Sequence, residues 1–323
     1  MKVNLQKLNN SFKNKSFISI DQLTEVSEIK KIFQTADQMK KIVKKKKPSN
    51  ILKGFCVAEL FYQPSTRTFT SFLAAAKWLG AMTIPIHGMS IYSSAVKGEI
   101  IEDTVKSVNQ TTGADLIIIR HPDNDSAERA AKASYVPVIN AGSGKKEHPT
   151  QAVLDLYTIK NELGRITNLK AAFLGDLKYG RTIKSLGKLL SLVDKKLELF
   201  LISPKILRMP GDLVKEWKSK GIKVHQTGNL EHALPKVDML YVTRIQKEWF
   251  KSQKEYKRIS TIYILDKRIM EKAKRKMIVM HPLPRVNEIS YEVDDDPRAV
   301  YFKQMRNGLY TRMALLKLIL LGD

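Results

Sequence analysis

The chain has 323 residues, enough for two domains of about 150 residues each, and its 43% hydrophobic and 27% charged content is that of a globular chain rather than a disordered one. Cys56 is the sole cysteine, which excludes an intrachain disulfide and any multi-cysteine zinc site and fits a reducing, cytoplasmic setting. The formal charge of +24 points to anionic partners: nucleic acid, acidic lipid or small anionic substrates.

Residues 1–15 are basic and polar and lack the apolar core of a secretory signal, so they read as a loose extension. The lysine-rich runs 40–47, 251–258 and 267–276 carry no Arg/Gly repeat, no interleaved aromatics and no zinc-finger or RNP-type pattern. They read as solvated helix faces, and a nucleic-acid-binding protein is an alternative that rests on net charge alone. The runs 55–61, 82–85, 116–120 and 136–140 predict buried strands. Between the first two, Phe69, Phe72, Leu73, Ala76 and Leu79 recur at helical spacing. Residues 151–163 predict a helix that ends at Gly164 and bridges to a second series of strands, 171–174, 197–202, 222–224, 239–242 and 277–280, with helical stretches such as 182–192 between them. A last helix, 307–320, places Leu309, Met313, Leu316 and Leu320 on one stripe. The apolar stretch 313–321 is too short for a bilayer span of ~20 residues and is interrupted by Lys317. Strand, helix, strand in two series predicts two α/β domains with mostly parallel sheets.

In open α/β sheets ligands sit beyond the carboxyl ends of the strands, and several of those turns are rich in chemistry. Ser65-Thr66-Arg67-Thr68 lies between a strand and a helix, where hydroxyls, a guanidinium and free helix amides form an anion cradle; ordinary N-capping by Ser65 or Thr66 is the plainer reading. Arg120 closes the most apolar strand of the first half. His148 opens the bridging helix with Gln151 one turn on. In the second half the stretch from Gly175 to Thr182, which contains Arg181, resembles a phosphate or dinucleotide turn but lacks the G-x-G-x-x-G spacing. Arg244 and Gln246 follow another strand, as does His281-Pro282-Leu283-Pro284-Arg285. There, prolines on both sides of Leu283 demand a rigid backbone with room for a cis Leu283–Pro284 bond.

Taken together, these motifs resemble the aspartate/ornithine carbamoyltransferase family, in family order, from about residue 16 to 320. The late turn carries Pro282 where the ornithine branch typically has Cys. Lys97-Gly98-Glu99, Arg181 and Arg244 match the aspartate branch, whose dicarboxylate substrate needs extra cations. The resemblance implies carbamoyl transfer from carbamoyl phosphate to the amine of L-aspartate in pyrimidine biosynthesis, with ornithine or another amine as the alternative acceptor. It implies no metal and no cofactor. By the same resemblance Ser65, Thr66, Arg67 and Thr68 hold the phosphate, and Thr68, Arg120 and His148 surround the carbonyl oxygen. Gln151 and the backbone of Leu283 and Pro284 grip the carbamoyl amide, Arg181 and Arg244 take the aspartate carboxylates, and Gln246 stands nearby. Lys97, with Ser93, reaches in from a neighbouring copy of a homotrimer; a regulatory or dihydroorotase chain is a further partner, and no membrane is involved. The implied domains are a carbamoyl-phosphate-binding domain, 1–149 with a returning C-terminal helix 307–323, and an aspartate-binding domain, 150–306. The family usually has Glu where Gln63 stands, and often Arg where Trp249 stands.

Overall fold

The computed structural model describes residues 7–9, 11–247, 250 and 252–322; the expectations for residues 1–6, Trp249 and Lys251 lie outside the described residues. The chain divides into two compact units, Met1–Leu154 with Arg306–Asp323, and Asp155–Met305. In the first unit the elements run α1 (Val26–Lys44), β1 (Cys56–Phe61), α2 (Thr66–Trp78), β2 (Met82–His87), α3 (Met89–Tyr92), α4 (Ile101–Thr112), β3 (Leu116–His121), α5 (Ser126–Ala133) and β4 (Val138–Ser143). Helix α6 (Pro149–Leu163) carries the chain into the second unit. There follow β5 (Lys170–Leu174), α7 (Arg181–Val193), β6 (Glu198–Ile202), α8 (Gly211–Ser219), β7 (Lys223–Thr227), α9 (Leu230–Ala233), β8 (Met239–Val242), α10 (Gln253–Ser260), α11 (Lys267–Glu271) and β9 (Ile278–Met280), before α12 (Tyr301–Leu321) returns to the first.

All strands are parallel, in the order β2-β1-β3-β4 in one unit and β7-β6-β5-β8-β9 in the other. Helical crossovers cover both faces of such sheets, which is why β3 is an unbroken run of Leu116, Ile117, Ile118 and Ile119, all buried, rather than an alternating strand. On one face of the first sheet Ala58, Leu60, Ile117 and Ile119 pack against Val105 of α4 and Ala130 of α5. In the second unit Ala172, Leu174, Ile202, Leu240 and Val242 form the core with Leu234 and Leu265. Each strand order reverses once, between β1 and β3 and between β5 and β8, so a crevice is expected at the carboxyl ends of those two pairs.

Three expectations need correction. β2 is not a buried strand; it is the sheet's edge, with Met82 60% exposed, because among the described residues no strand pairs beyond it. Residues 7–15 are not loose where they are described. Leu8 and Phe12 are wholly buried, and the Asn14 amide donates to the Ile319 carbonyl of α12 at 2.9 Å, which ties the segment to the last helix. α12 does not bury a single stripe: Tyr310 through Leu316 are all buried, whereas Leu309 is half-exposed, as expected of a helix enclosed on nearly every side.

Candidate active site

In the first unit Phe61 of β1 pairs with Arg120 of β3, so the turn that follows β1 leaves the sheet beside Arg120, at the switch point. Ser65 occupies the N-cap position of α2 in extended conformation. It makes no capping bond with its side chain, and the first turn of α2 holds no acid. α4, by contrast, begins with Glu102 and Asp103. Ordinary capping is therefore not the job of these hydroxyls, and the amides and dipole of α2 stay available to an external anion. Arg67 is half-buried, and burial alone lowers its guanidinium from the usual range.

Thr68 is buried, with Oγ1 3.5 Å from Nε2 of His148. The loop before α6 sets that contact: Glu147 accepts from Ser19 Oγ at 3.0 Å and from the Ile20 amide at 3.1 Å, which anchors the backbone next to His148. Gln151 is buried one turn further on, and its amide donates to the His148 carbonyl at 3.0 Å. Arg120 directs Nη1 to the Ala141 carbonyl at 3.5 Å. The structure thus brings together Thr68 and His148, with Arg67 in the first turn of α2 and Arg120 near the end of β3. Ser93 and Lys97 stand apart in the loop after α3. Ser93 Oγ donates to Met89 O of α3 at 2.6 Å and accepts from the Ala95 amide at 3.2 Å, both local contacts. Lys97 is exposed among exposed Ile91, Tyr92, Val96 and Ile100.

The second unit repeats the arrangement at β5 and β8. Gly175, at φ +111°, sits where the end of β8 crosses: a Cβ there would lie 2.3 Å from the Thr243 carbonyl oxygen, so only glycine fits. The Asp176 amide then donates to Thr243 Oγ1 at 3.0 Å. The buried Asp176 carboxylate accepts from the Tyr179 amide at 2.9 Å and from Gln246 Nε2 at 3.3 Å. Burial raises its pKa, partly offset by those two donors. Asp176 therefore shapes the loop that delivers Arg181, the first residue of α7, and also holds Gln246, the neighbour of the half-buried Arg244. Sequence reasoning gave Asp176 no role; its place between Gly175 and Gly180 is the signal that was there. Burial lowers Arg181 to about 10.

Past β9 the Leu283–Pro284 bond is cis and Leu283 has φ +53°. The Leu283 amide donates to His281 Nδ1 at 2.7 Å, so the proton of the ring rests on Nε2, which donates to Glu288 Oε1 at 2.8 Å. Glu288 Oε2 accepts from the Val286 and Asn287 amides at 3.1 Å each. Burial pushes Glu288 up, but the His281 bond and these amides hold it below its ordinary value. The segment carrying the Leu283 and Pro284 carbonyls is fixed by a pair that the sequence reading did not single out. Among the described residues no group of His, Cys, Asp and Glu is placed to hold a metal ion.

Residues 15–161 match the family described as aspartate/ornithine carbamoyltransferase, carbamoyl-P binding domain, and residues 167–319 match aspartate/ornithine carbamoyltransferase, Asp/Orn binding domain. The chain belongs to the aspartate/ornithine carbamoyltransferase family. It is 44% identical to the aspartate carbamoyltransferase catalytic subunit of Thermococcus onnurineus over 96% of this chain and 98% of that one. It is 45% identical to the multifunctional protein pyr1-3 of Dictyostelium discoideum over 96% of this chain, but spans only 14% of that protein's length. Its structure is similar to that of aspartate transcarbamoylase from Trypanosoma cruzi in complex with N-(phosphonacetyl)-L-aspartic acid, with a TM-score of 0.90 and 39% identity over 96% of this chain and 97% of the other.

Proposed function

We propose that this chain transfers the carbamoyl group of carbamoyl phosphate to the amine of L-aspartate, giving N-carbamoyl-L-aspartate and phosphate. The observation that carries the reading is the start of α2: an uncapped, acid-free helix N-terminus with Ser65, Thr66, Arg67 and Thr68, at the switch point of its sheet. That is a site for a phosphate group. Thr68, Arg120 and His148 are the donors for the carbonyl oxygen on which negative charge grows as the amine attacks, an effect typically worth ~3–4 kcal/mol per donor. Gln151 and the carbonyls of Leu283 and Pro284 hold the carbamoyl amide. Arg181 and Arg244 bind the two aspartate carboxylates, with Gln246 beside them, and the departing phosphate accepts the proton of the amine. The names of the Thermococcus and Trypanosoma relatives support aspartate as the acceptor.

The reading extends to a homotrimer in which Lys97 and Ser93 serve the site of a neighbouring copy. The exposed lysine within an exposed apolar loop supports this. It extends further to a first, carbamoyl-phosphate-binding domain, a second, aspartate-binding one, and a cytoplasmic setting; among the described residues no helix is long and apolar enough to cross a membrane. A regulatory or dihydroorotase chain is the partner to look for by size-exclusion of native extract. A colorimetric ureido assay with carbamoyl phosphate tests the whole. Product with aspartate and none with ornithine is the expected result, and turnover with ornithine alone would overturn the choice of acceptor.

A further inference from the structure

Arg312 lies on α12 and is only 3% exposed. Its Nη1 donates to Ser71 Oγ at 2.6 Å, although the two residues stand 241 positions apart. Ser71 sits one turn into α2, with Oγ 2.7 Å from the Arg67 carbonyl and 3.0 Å from the Thr68 carbonyl, to which it offers its one hydrogen. The guanidinium also lies over the Phe72 ring, 5.0 Å from its centroid. Space for it comes from Gly308, one turn earlier on α12: a Cβ there would fall 2.9 Å from Arg312 Nη1 and 3.1 Å from Leu154 Cδ2. The nearby carboxylate is Glu59 of β1, wholly buried, with no hydrogen-bond partner on either oxygen. Burial pushes Glu59 up to about 8 against the opposing pull of Arg312.

The hydrogen bond of Arg312 reaches a hydroxyl that grips the carbonyls of Arg67 and Thr68, two residues of the cradle. We infer that Arg312 is a positioning residue for the phosphate-binding turn, acting through Ser71, a role that rests on the reading of that turn as a phosphate site.

The test uses the full chain and Ser71→Ala, Ser71→Thr and Arg312→Lys, with inorganic phosphate as the calorimetric probe and steady-state kinetics beside it. Ser71→Ala is expected to weaken phosphate binding and raise the KM for carbamoyl phosphate by about tenfold, the scale of one charge-assisted hydrogen bond. The KM for aspartate should stay within about twofold, and Ser71→Thr, which keeps the hydroxyl, should restore binding. Arg312→Lys should fall between. Should Arg312→Lys fail to fold, the Ser71 pair still decides the matter. A folded Ser71→Ala protein that binds phosphate as wild type does, or one that loses both substrates equally, overturns the inference. A wild-type chain that binds no phosphate at all instead overturns the reading of the site.

Discussion

The donors proposed at the β1/β3 edge are hydroxyls, helix amides and Arg67; those proposed at the β5/β8 edge are Arg181 and Arg244, in segments that flank the buried Asp176 and its partner Gln246. The first set is short, numerous and close to the backbone, which suits a compact tetrahedral dianion. The second is made of planar forks on longer stems, which suits carboxylates. Arginines elsewhere differ from both. Arg129 meets Glu102, with Nε 2.7 Å from Oε1, and Arg298 meets Asp296, with Nη2 2.6 Å from Oδ2; the bond to the carboxylate is the main reason each is raised above the usual guanidinium value. Arg67 and Arg181 are lowered, by burial.

The sharpest way to break this contrast is Arg67→Ala. The hydroxyls and amides remain, but the guanidinium is gone, and kcat/KM is expected to fall about a thousandfold, or ~4 kcal/mol. The thermal melt should stay close to wild type, because Arg67 is half-buried and outside the apolar core. Near-normal activity in this variant would remove the phosphate from the first edge.

Arg244→Ala probes the second edge alone. The KM for aspartate should rise about a hundredfold, a loss on the scale of one charge-assisted hydrogen bond of ~3 kcal/mol, while calorimetric titration with carbamoyl phosphate stays near wild type. Collapse of that titration with aspartate saturation unchanged would mean that the two edges have been assigned the wrong way round.

Neither edge accounts for Lys97, and a mixing experiment places it. On the proposed homotrimer, assemblies of Lys97→Ala and of Arg67→Ala are dissociated and reassembled together. Random mixing makes about three quarters of the trimers hybrid, each with one intact site in three, so roughly a quarter of wild-type activity should return if Lys97 serves its neighbour. Hybrids confirmed by native mass spectrometry that stay inactive would place Lys97 in its own chain's site.

The smallest effect concerns the floor beneath the first edge. Glu59 is raised from its ordinary 4.5 to about 8, so between those values the folded chain holds a proton that the unfolded chain has lost. Stability from this group is full below 4.5 and declines as pH rises through 8, at most by ~1.4 kcal/mol per pH unit. Glu59→Gln should therefore melt close to wild type at pH 5 and several degrees above it at pH 8. An equal shift at both pH values would show that Glu59 carries its charge throughout.

Much of this was legible before any coordinates. The two strand series, the crossover helices and the turns at strand ends follow from local patterns: apolar runs without alternation, helical spacing, and Gly, Pro and Ser at the punctuation points. Ser65 through Thr68, His148 and Arg181 could be singled out because each sits in a turn whose neighbours in sequence are also its neighbours in space. The edges of those patterns were less exact: the fourth strand runs over Val138–Ser143 rather than 136–140, and the last helix begins at Tyr301 rather than 307, since tertiary packing sets where an element ends.

Chain order and local pattern by themselves determined that this is a parallel α/β chain with anion-seeking turns. Only the tertiary structure decided what supports those turns. Asp176 organises Arg181 and Gln246 because β8 returns beside β5. His281 holds the Leu283 amide because Glu288 closes on its other nitrogen. Arg312 reaches Ser71 because α12 comes back to the first unit. The segment that carries the buried Leu8 and Phe12 is tied to that same helix by the Asn14–Ile319 hydrogen bond. Local propensity is written in neighbours along the chain; partnership between a buried charge and a distant hydroxyl exists only after the sheets have formed and excluded water, and no local pattern encodes it.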